Sequence, residues 1–451
     1  MTKKFILQIS IKKGDEMKKT TLLAIALLCA MNAIAQPTYY VSNAKGSNKN
    51  NGSKTAPFKN IQKAMNVAED GGVIMVAQGV YYGLLNAGYL EMKKPVKLIG
   101  GYSDDFSTRD VIKYAAKIQP PASSNGTARN YSLLTIAVTS KNAEILVDGF
   151  IFDRGESNGY HPNKGKPEGF EMGMLMHPPA TGINGAEQNV TSVKMPLIGG
   201  RYDGNMTIQN CTFTNSAWYA IQLAVETGKL TIKNNVFVAN AMSACEVRGA
   251  SAKTNVSKIE FCYNTALFTW SRTSAFEDMG YGFRYMTGID ADVHHNIIGL
   301  SCLSGLDRTY VDSDKSKEAA RVTTAEYNIF FMNKQADLTL PGSGKFLRIR
   351  WDMFDDVEQL AKSSGNIELE NPTQLKNVIN KLYLQEFLNT SYKESADFDP
   401  NSPANVFRSA MGINQVGKIS TTVGMYANKY PLDDAVKLFG AINGYGAQKI
   451  K

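Results

Sequence analysis

The chain has 451 residues, 43% of them hydrophobic and 20% charged, an ordinary globular composition that excludes a disordered polypeptide. Its formal net charge of +8 falls to +4 without the first 35 residues, which carry six Lys and two acidic side chains. So mild a balance suits an anionic glycan but gives no sign of nucleic-acid binding.

The N-terminus reads as a targeting segment. Met17-Lys18-Lys19 opens a basic stretch, Leu22 to Ala30 is apolar, and Ala33-Ile34-Ala35 gives a small-x-small cleavage pattern before Gln36. Residues 1–35 are therefore expected to be a signal peptide with its real start at Met17. The product is expected to be periplasmic, at the cell surface or extracellular. The apolar run is too short for a membrane span, so no transmembrane segment is expected after cleavage. Leu28 before Cys29 is too large for a lipoprotein processing site.

The mature chain begins with a strand and polar turn at Tyr39 to Ser47. A helix follows, with Ile61, Ala64, Met65 and Ala68 on one apolar face. Gly71-Gly72 ends it, and Val73 to Ala77 starts the next strand. Such a helix would cap the open end of a solenoid. Ile145 to Phe152, with Asp148-Gly149 at a turn, is a loose first copy of what comes later. Gly155 to Tyr202, containing His161 and His177, obeys no period and is expected to be an irregular insertion, a candidate lid.

From residue 208 onward a repeat sets the fold. Ile208-Gln-Asn-Cys-Thr-Phe213, Ile232-Lys-Asn-Asn-Val-Phe237, Phe261-Cys-Tyr-Asn-Thr-Ala266, Val293-His-His-Asn-Ile-Ile298 and Ala325-Glu-Tyr-Asn-Ile-Phe330 align in register. The fourth position is Cys211, then Asn235, Asn264, Asn296 and Asn328, at steps of 24, 29, 32 and 32 residues. Short strands like these bury their faces only by stacking, and asparagine both tolerates the left-handed turn conformation and can ladder through its amide. The expected class is an all-β solenoid, a right-handed parallel β-helix over residues 36–345. Cys211, Cys245, Cys262 and Cys302 are expected as buried fillers. His294-His295 invites a metal reading, but neighbouring strand residues face opposite ways, so the pair receives no role. Residues 346–451 leave the pattern. Helical periodicity at Met353 to Lys362, Thr373 to Phe387 and Asp433 to Phe439 suggests a partly helical C-terminal cap or extension.

Tyr40-Val-Ser, Asn51-Gly-Ser-Lys-Thr-Ala-Pro-Phe58, Ile61-Gln-Lys-Ala64, Gly79-Val-Tyr81 and Leu98-Ile-Gly-Gly-Tyr102 resemble the opening of pectate-lyase-like β-helix proteins of the Bacteroidetes. Asp397-Phe-Asp-Pro-Asn-Ser-Pro-Ala404 resembles the segment that closes many of them. The resemblance implies an exported protein acting on an acidic polysaccharide in a groove beside the third strand of each coil, as a β-eliminating lyase. A non-catalytic glycan-binding or surface-structural protein and a glycoside hydrolase are the alternatives. The Asn-Gly-x-Glu and Arg-x-Gly-x-His-x-Asn pair of some lyases, the polygalacturonase Gly-His-Gly set and a four-Asp calcium pocket are all missing from the sequence.

Aligning Ser243-Ala-Cys-Glu-Val-Arg248 with Ser274-Ala-Phe-Glu-Asp-Met279 puts Glu246 and Glu277 outward, one above the other, with Gln222 before them and Ser304 and Asp337 after. Arg248, Arg272, Arg284 and Tyr281 surround that pair. Stacked carboxylates repel, so they would serve as a calcium site, an acid/base pair, or a ladder salt-bridged by Arg248 and Arg272. Elimination from a uronate needs a cation to neutralise the substrate carboxylate and a base, which this set offers. Hydrolysis needs a second, more distant carboxylate, for which Asp278 and Asp307 are candidates.

Overall fold

The computed structural model describes residues 36–85, 87–121, 131–154, 174–175, 195–216, 218–249, 257–270, 280–343, 345–369, 372–392, 397–417, 426–427 and 429–450. The expected signal peptide and most of the expected insertion lie outside these residues.

Each coil contributes one strand to each of three sheets, and all three sheets have nine strands. The coil containing Asn235 shows the plan. Lys229–Lys233 lies in the first sheet, Val236–Val238 in the second and Ser243–Gly249 in the third, before Ser257–Cys262 returns to the first. These strands pair in parallel with their equivalents one coil away, for example Ile232 with Phe261 and Phe237 with Ala266, except that the last strand of the third sheet, Phe346–Ile349, pairs antiparallel with Ala336–Pro341. This is a parallel β-helix. Ile198–Tyr202, expected inside the insertion, is instead a regular strand of the third sheet, with Tyr202 wholly interior.

Alternation along the strands decides what fills the coil. Phe152, Phe213, Phe237, Phe261 and Phe283 stack inside it with ring centroids 5.1, 4.8, 6.1 and 4.4 Å apart. The four described cysteines are buried thiols, as expected of small fillers.

The asparagine ladder is present and extends one coil further, to Asn366. The Oδ1 of Asn264 accepts from the backbone N–H and the Nδ2 of Asn235, both at 3.0 Å. Asn296 serves Asn264 in the same way, Asn328 serves Asn296, and Asn366 serves Asn328. Each Nδ2 also donates to a main-chain carbonyl of the coil before, as Asn296 does to Phe261 at 2.8 Å. The ladder residues are not themselves left-handed. That conformation falls one residue earlier, at Asn234, Tyr263, His295 and Tyr327, with φ between 52° and 57°. The turn strain and the amide ladder are thus divided between neighbours.

The helix Ile61–Val67 packs against the terminal strands and buries the expected apolar face, Ile61, Ala64, Met65 and Ala68. Its Gln62 also satisfies an exposed sheet edge, donating to the Glu91 carbonyl at 3.0 Å and accepting from the Glu91 N–H at 2.8 Å.

The second-sheet strands Val236–Val238, Ile297–Ser301 and Ile329–Phe331 carry apolar residues on both faces. Phe237 points into the coil, while Val236 and Val238 point out, with Ile297, Ile329 and Phe331. That outer surface is covered by the C-terminal segment through Leu384, Phe387, Leu388, Phe407, Met411 and Tyr430. The Trp270 indole donates to the Tyr383 hydroxyl at 2.7 Å. Helical structure here departs from the sequence periodicity. A 3-10 helix spans Trp351–Asp356, an α-helix begins only at Lys381 and runs to Ser391, and another, Pro403–Met411, lies outside the segments of helical periodicity. Ser402 caps that helix, Pro403 occupies its first turn, and left-handed Gly412 ends it.

Candidate functional site

The third sheet carries the charged column, in a register different from the expected one. Ser243 pairs with Tyr281, Cys245 with Phe283 and Glu246 with Arg284. Continuing, Gln222 precedes Glu246, and Arg284 pairs with Asp307, which pairs with Thr339. The outward column is therefore Gln222, Glu246, Arg284, Asp307 and Thr339. The rung next to Glu246 is occupied by Arg284. Glu277, Arg272 and Asp278 fall outside the described residues. Ser304 aligns with Tyr281 rather than with Glu246.

Opposite charges alternate along this column. The Gln222 Nε2 donates to Glu246 Oε1 at 2.8 Å, and Arg284 Nη1 donates to Glu246 Oε2 at 3.4 Å. On its other side Arg284 Nε lies 2.8 Å from Asp307 Oδ2, which also accepts from the Thr309 hydroxyl at 3.1 Å. The Arg284 guanidinium rests 4.7 Å from the ring centroids of both Tyr281 and Tyr310. The cation that stacked carboxylates were expected to need is thus supplied by the chain itself.

Burial distinguishes the members. Glu246 is 6%, Arg284 4% and Asp307 0% exposed, whereas the Tyr310 ring, lying on Arg284, is 55% exposed. Burial pushes the Asp307 carboxyl up to about 6, against the opposing pull of Arg284 and Thr309. Burial and the neighbouring Glu246 carboxylate push the Tyr219 hydroxyl up as well.

Two candidates stand apart from the network. Arg248 is exposed two residues along from Glu246, aligned with Ala224, and has no ion-pair partner among the described residues. Asp337 lies two positions before the column residue Thr339 on the same strand. It accepts from Asn333 Nδ2 at 2.9 Å and from the Trp351 N–H at 3.2 Å, so its role there is to anchor the chain where it leaves the coil. Tyr219, Thr309 and Tyr310 join the site without having been singled out in the sequence.

Residues 44–144 match a family described as proteins of unknown function, DUF1565. No curated protein matches the chain. Among solved structures it is similar to XylC in complex with xylose, at 14% identity over 67% of this chain and 63% of that one, TM-score 0.37. It is similar also to the GH136 lacto-N-biosidase from Eubacterium ramulus, at 10% identity over 67% and 57%, TM-score 0.31. A third is pectate lyase Pel9A, at 13% identity over 70% and 80%, TM-score 0.30. The chain spans less than two thirds of the length of the first two. Likenesses this distant carry no information about activity.

Chemically, the column can do less than its residue types suggest. Two carboxylates on one guanidinium leave an excess negative charge when both are ionised, which disfavours a uronate at this point. Glu246 and Asp307 are two rungs apart, roughly 10 Å at the usual strand spacing, at the far edge of what inverting hydrolysis uses. Asp307 is moreover wholly covered, and a general acid must touch its substrate. What remains accessible is a tyrosine face, the Gln222 amide, the Thr309 hydroxyl and the exposed Arg248.

Proposed function

We propose that this protein is an exported, carbohydrate-engaging β-helix that binds a hydroxyl-rich, uncharged stretch of a polysaccharide on the outer face of its third sheet. The observation that carries this reading is the Tyr310 ring, half exposed and held against the Arg284 guanidinium, itself fixed between Glu246 and Asp307. A rigid aromatic face of this kind receives the C–H face of a sugar ring. Gln222 and Thr309 flank it with donors and acceptors for the hydroxyls. The buried ion network holds the platform rather than performing chemistry. A polyuronide lyase, the activity the family resemblance implied, fits less well because Arg284 is already neutralised from both sides.

Affinity electrophoresis in gels containing neutral glucans, xylans, mannans or galactans tests this reading. Retardation by at least one of them, lowered at least tenfold in affinity by Tyr310→Ala and by Gln222→Ala, is expected. Retardation unaffected by either variant would remove the site from where it is placed here. Export is tested separately by N-terminal sequencing of the protein recovered outside the cytoplasm, with Gln36 as the expected first residue.

A further inference from the structure

The outer face of the first sheet carries a second cluster, away from the third-sheet column. Cys262 and His294 are partners on adjacent rungs, and Glu260 lies two residues before Cys262 on the same face. The Cys262 Sγ is 3.7 Å and the His294 Nε2 3.5 Å from the same oxygen, Glu260 Oε1. Thiol, imidazole and carboxylate donors all fall within 4.8 Å of one another. Among the described residues they form the one such group of three.

From this convergence we propose that Glu260, Cys262 and His294 form a binding site for a divalent transition metal of borderline softness, zinc above all. Thiolate, imidazole and carboxylate are the ligand types such an ion takes, and three protein ligands leave a fourth position for water. Cys262 is buried, while Glu260 and His294 keep side-chain exposures of 25% and 22%, so the open position faces solvent.

The surroundings orient the ligands as metal sites require. Lys229 holds Glu260 through its other oxygen, Oε2, leaving Oε1 to point at the cysteine and histidine. The His294 Nδ1 is 3.0 Å from the His295 Nδ1, and in the tautomer in which His294 donates this hydrogen bond its Nε2 lone pair is left for an ion. His295 is itself held between Tyr263 and Tyr327, with ring centroids 4.9 and 5.3 Å away. The adjacent histidines therefore do not share an ion. One ligates, and the other, left-handed at the corner, aligns it. Asp292, the rung partner of Glu260, adds negative charge beside the site.

Cobalt(II) titration of the purified, metal-stripped protein tests the proposal, because a Cys–Co2+ bond gives an ultraviolet charge-transfer band. One equivalent of Co2+ should produce that band, with the visible bands of a four-coordinate ion, and Zn2+ should bleach both. Cys262→Ser should abolish the charge-transfer band, and His294→Ala should weaken binding at least tenfold. Cys245→Ser, at a thiol inside the coil, should leave the spectrum intact. His295→Phe, which keeps a ring in the stack, should weaken binding about tenfold through the lost proton acceptor. If Cys262→Ser does not fold, Glu260→Gln and His294→Ala decide the matter, since both side chains reach the surface. Absence of the band at excess Co2+, or a band indifferent to these variants, overturns the proposal.

Discussion

At Arg284, one side chain settles the character of the third-sheet face. Removing it by Arg284→Ala leaves Glu246 and Asp307 buried without their cation, and a loss of about 3–5 kcal/mol is expected in chemical denaturation. Tyr310→Ala touches an exposed ring, so its stability should stay within about 0.5 kcal/mol of the parent while glycan retention falls. Asp307 adds a pH signature. Its carboxyl titrates near 6 in the folded state, against an ordinary value of 3.8. Between those values the folded protein keeps a proton that the unfolded chain has released, so this group's contribution to stability falls as pH rises from about 4 to 6 and is then constant. The effect is on the order of 2–3 kcal/mol. Melting curves of the parent and Asp307→Asn should converge or cross over that window, the parent losing ground as pH rises, whereas parallel curves would contradict the assignment. At this scale the sequence was only partly legible. Gln222, Glu246, Arg284, Tyr281 and Asp307 were all singled out and do come together, but in another register. The identity of Ser243-Ala-Cys-Glu with Ser274-Ala-Phe-Glu competed with a weaker signal, the apolar-charged-apolar alternation Cys245-Glu246-Val247 and Phe283-Arg284-Tyr285. Strand register follows alternation, because interior volume penalises a misplaced side chain and local identity does not.

Single elements explain why the repeat was visible at all. A buried asparagine amide must be satisfied on every coil, so the same residue returns at one position over Asn235, Asn264, Asn296 and Asn328. Asn366 escaped notice because its coil is lengthened to 38 residues and lacks the flanking apolar pattern. Asn296→Ala would strand the Asn264 backbone N–H and the Phe261 carbonyl inside the protein. A cost of about 1–3 kcal/mol for each unsatisfied group is expected in urea denaturation. The helix Pro403–Met411 was hidden for a different reason. Its signals are a Ser-Pro start and a Gly stop rather than a long periodic stripe. The metal-type cluster was equally hidden, since Cys262 and His294 are 32 residues apart and only coil stacking makes them neighbours.

For the molecule as a whole, one sheet face is covered and another is offered. The second sheet is sealed on its outside by the C-terminal segment, and its Val236, Val238, Ile297 and Ile329 are the reason. A chain ending before residue 372 would expose that surface, and aggregation on size-exclusion chromatography is expected. Legibility here was uneven. Coil architecture follows from the repeat alone, whereas the side on which the C-terminal segment packs depends on which sheet is apolar on both faces, a property of three-residue strands too short to show a period. Among the described residues the outer side of the third sheet presents the exposed Arg248 and Tyr310 and the half-buried Gln222 and Thr309, and it is there that the proposed glycan would lie along the coil axis. The most direct test of that claim is a parallel screen of neutral polysaccharides and of pectate, alginate and chondroitin. Retention and the ultraviolet absorbance of unsaturated uronate are followed together. Retention on a neutral glycan, with no absorbance rise on any polyuronide, is the predicted result. Sustained release of unsaturated product, abolished by Arg284→Ala in a folded variant, would contradict it and make the column an eliminating active site.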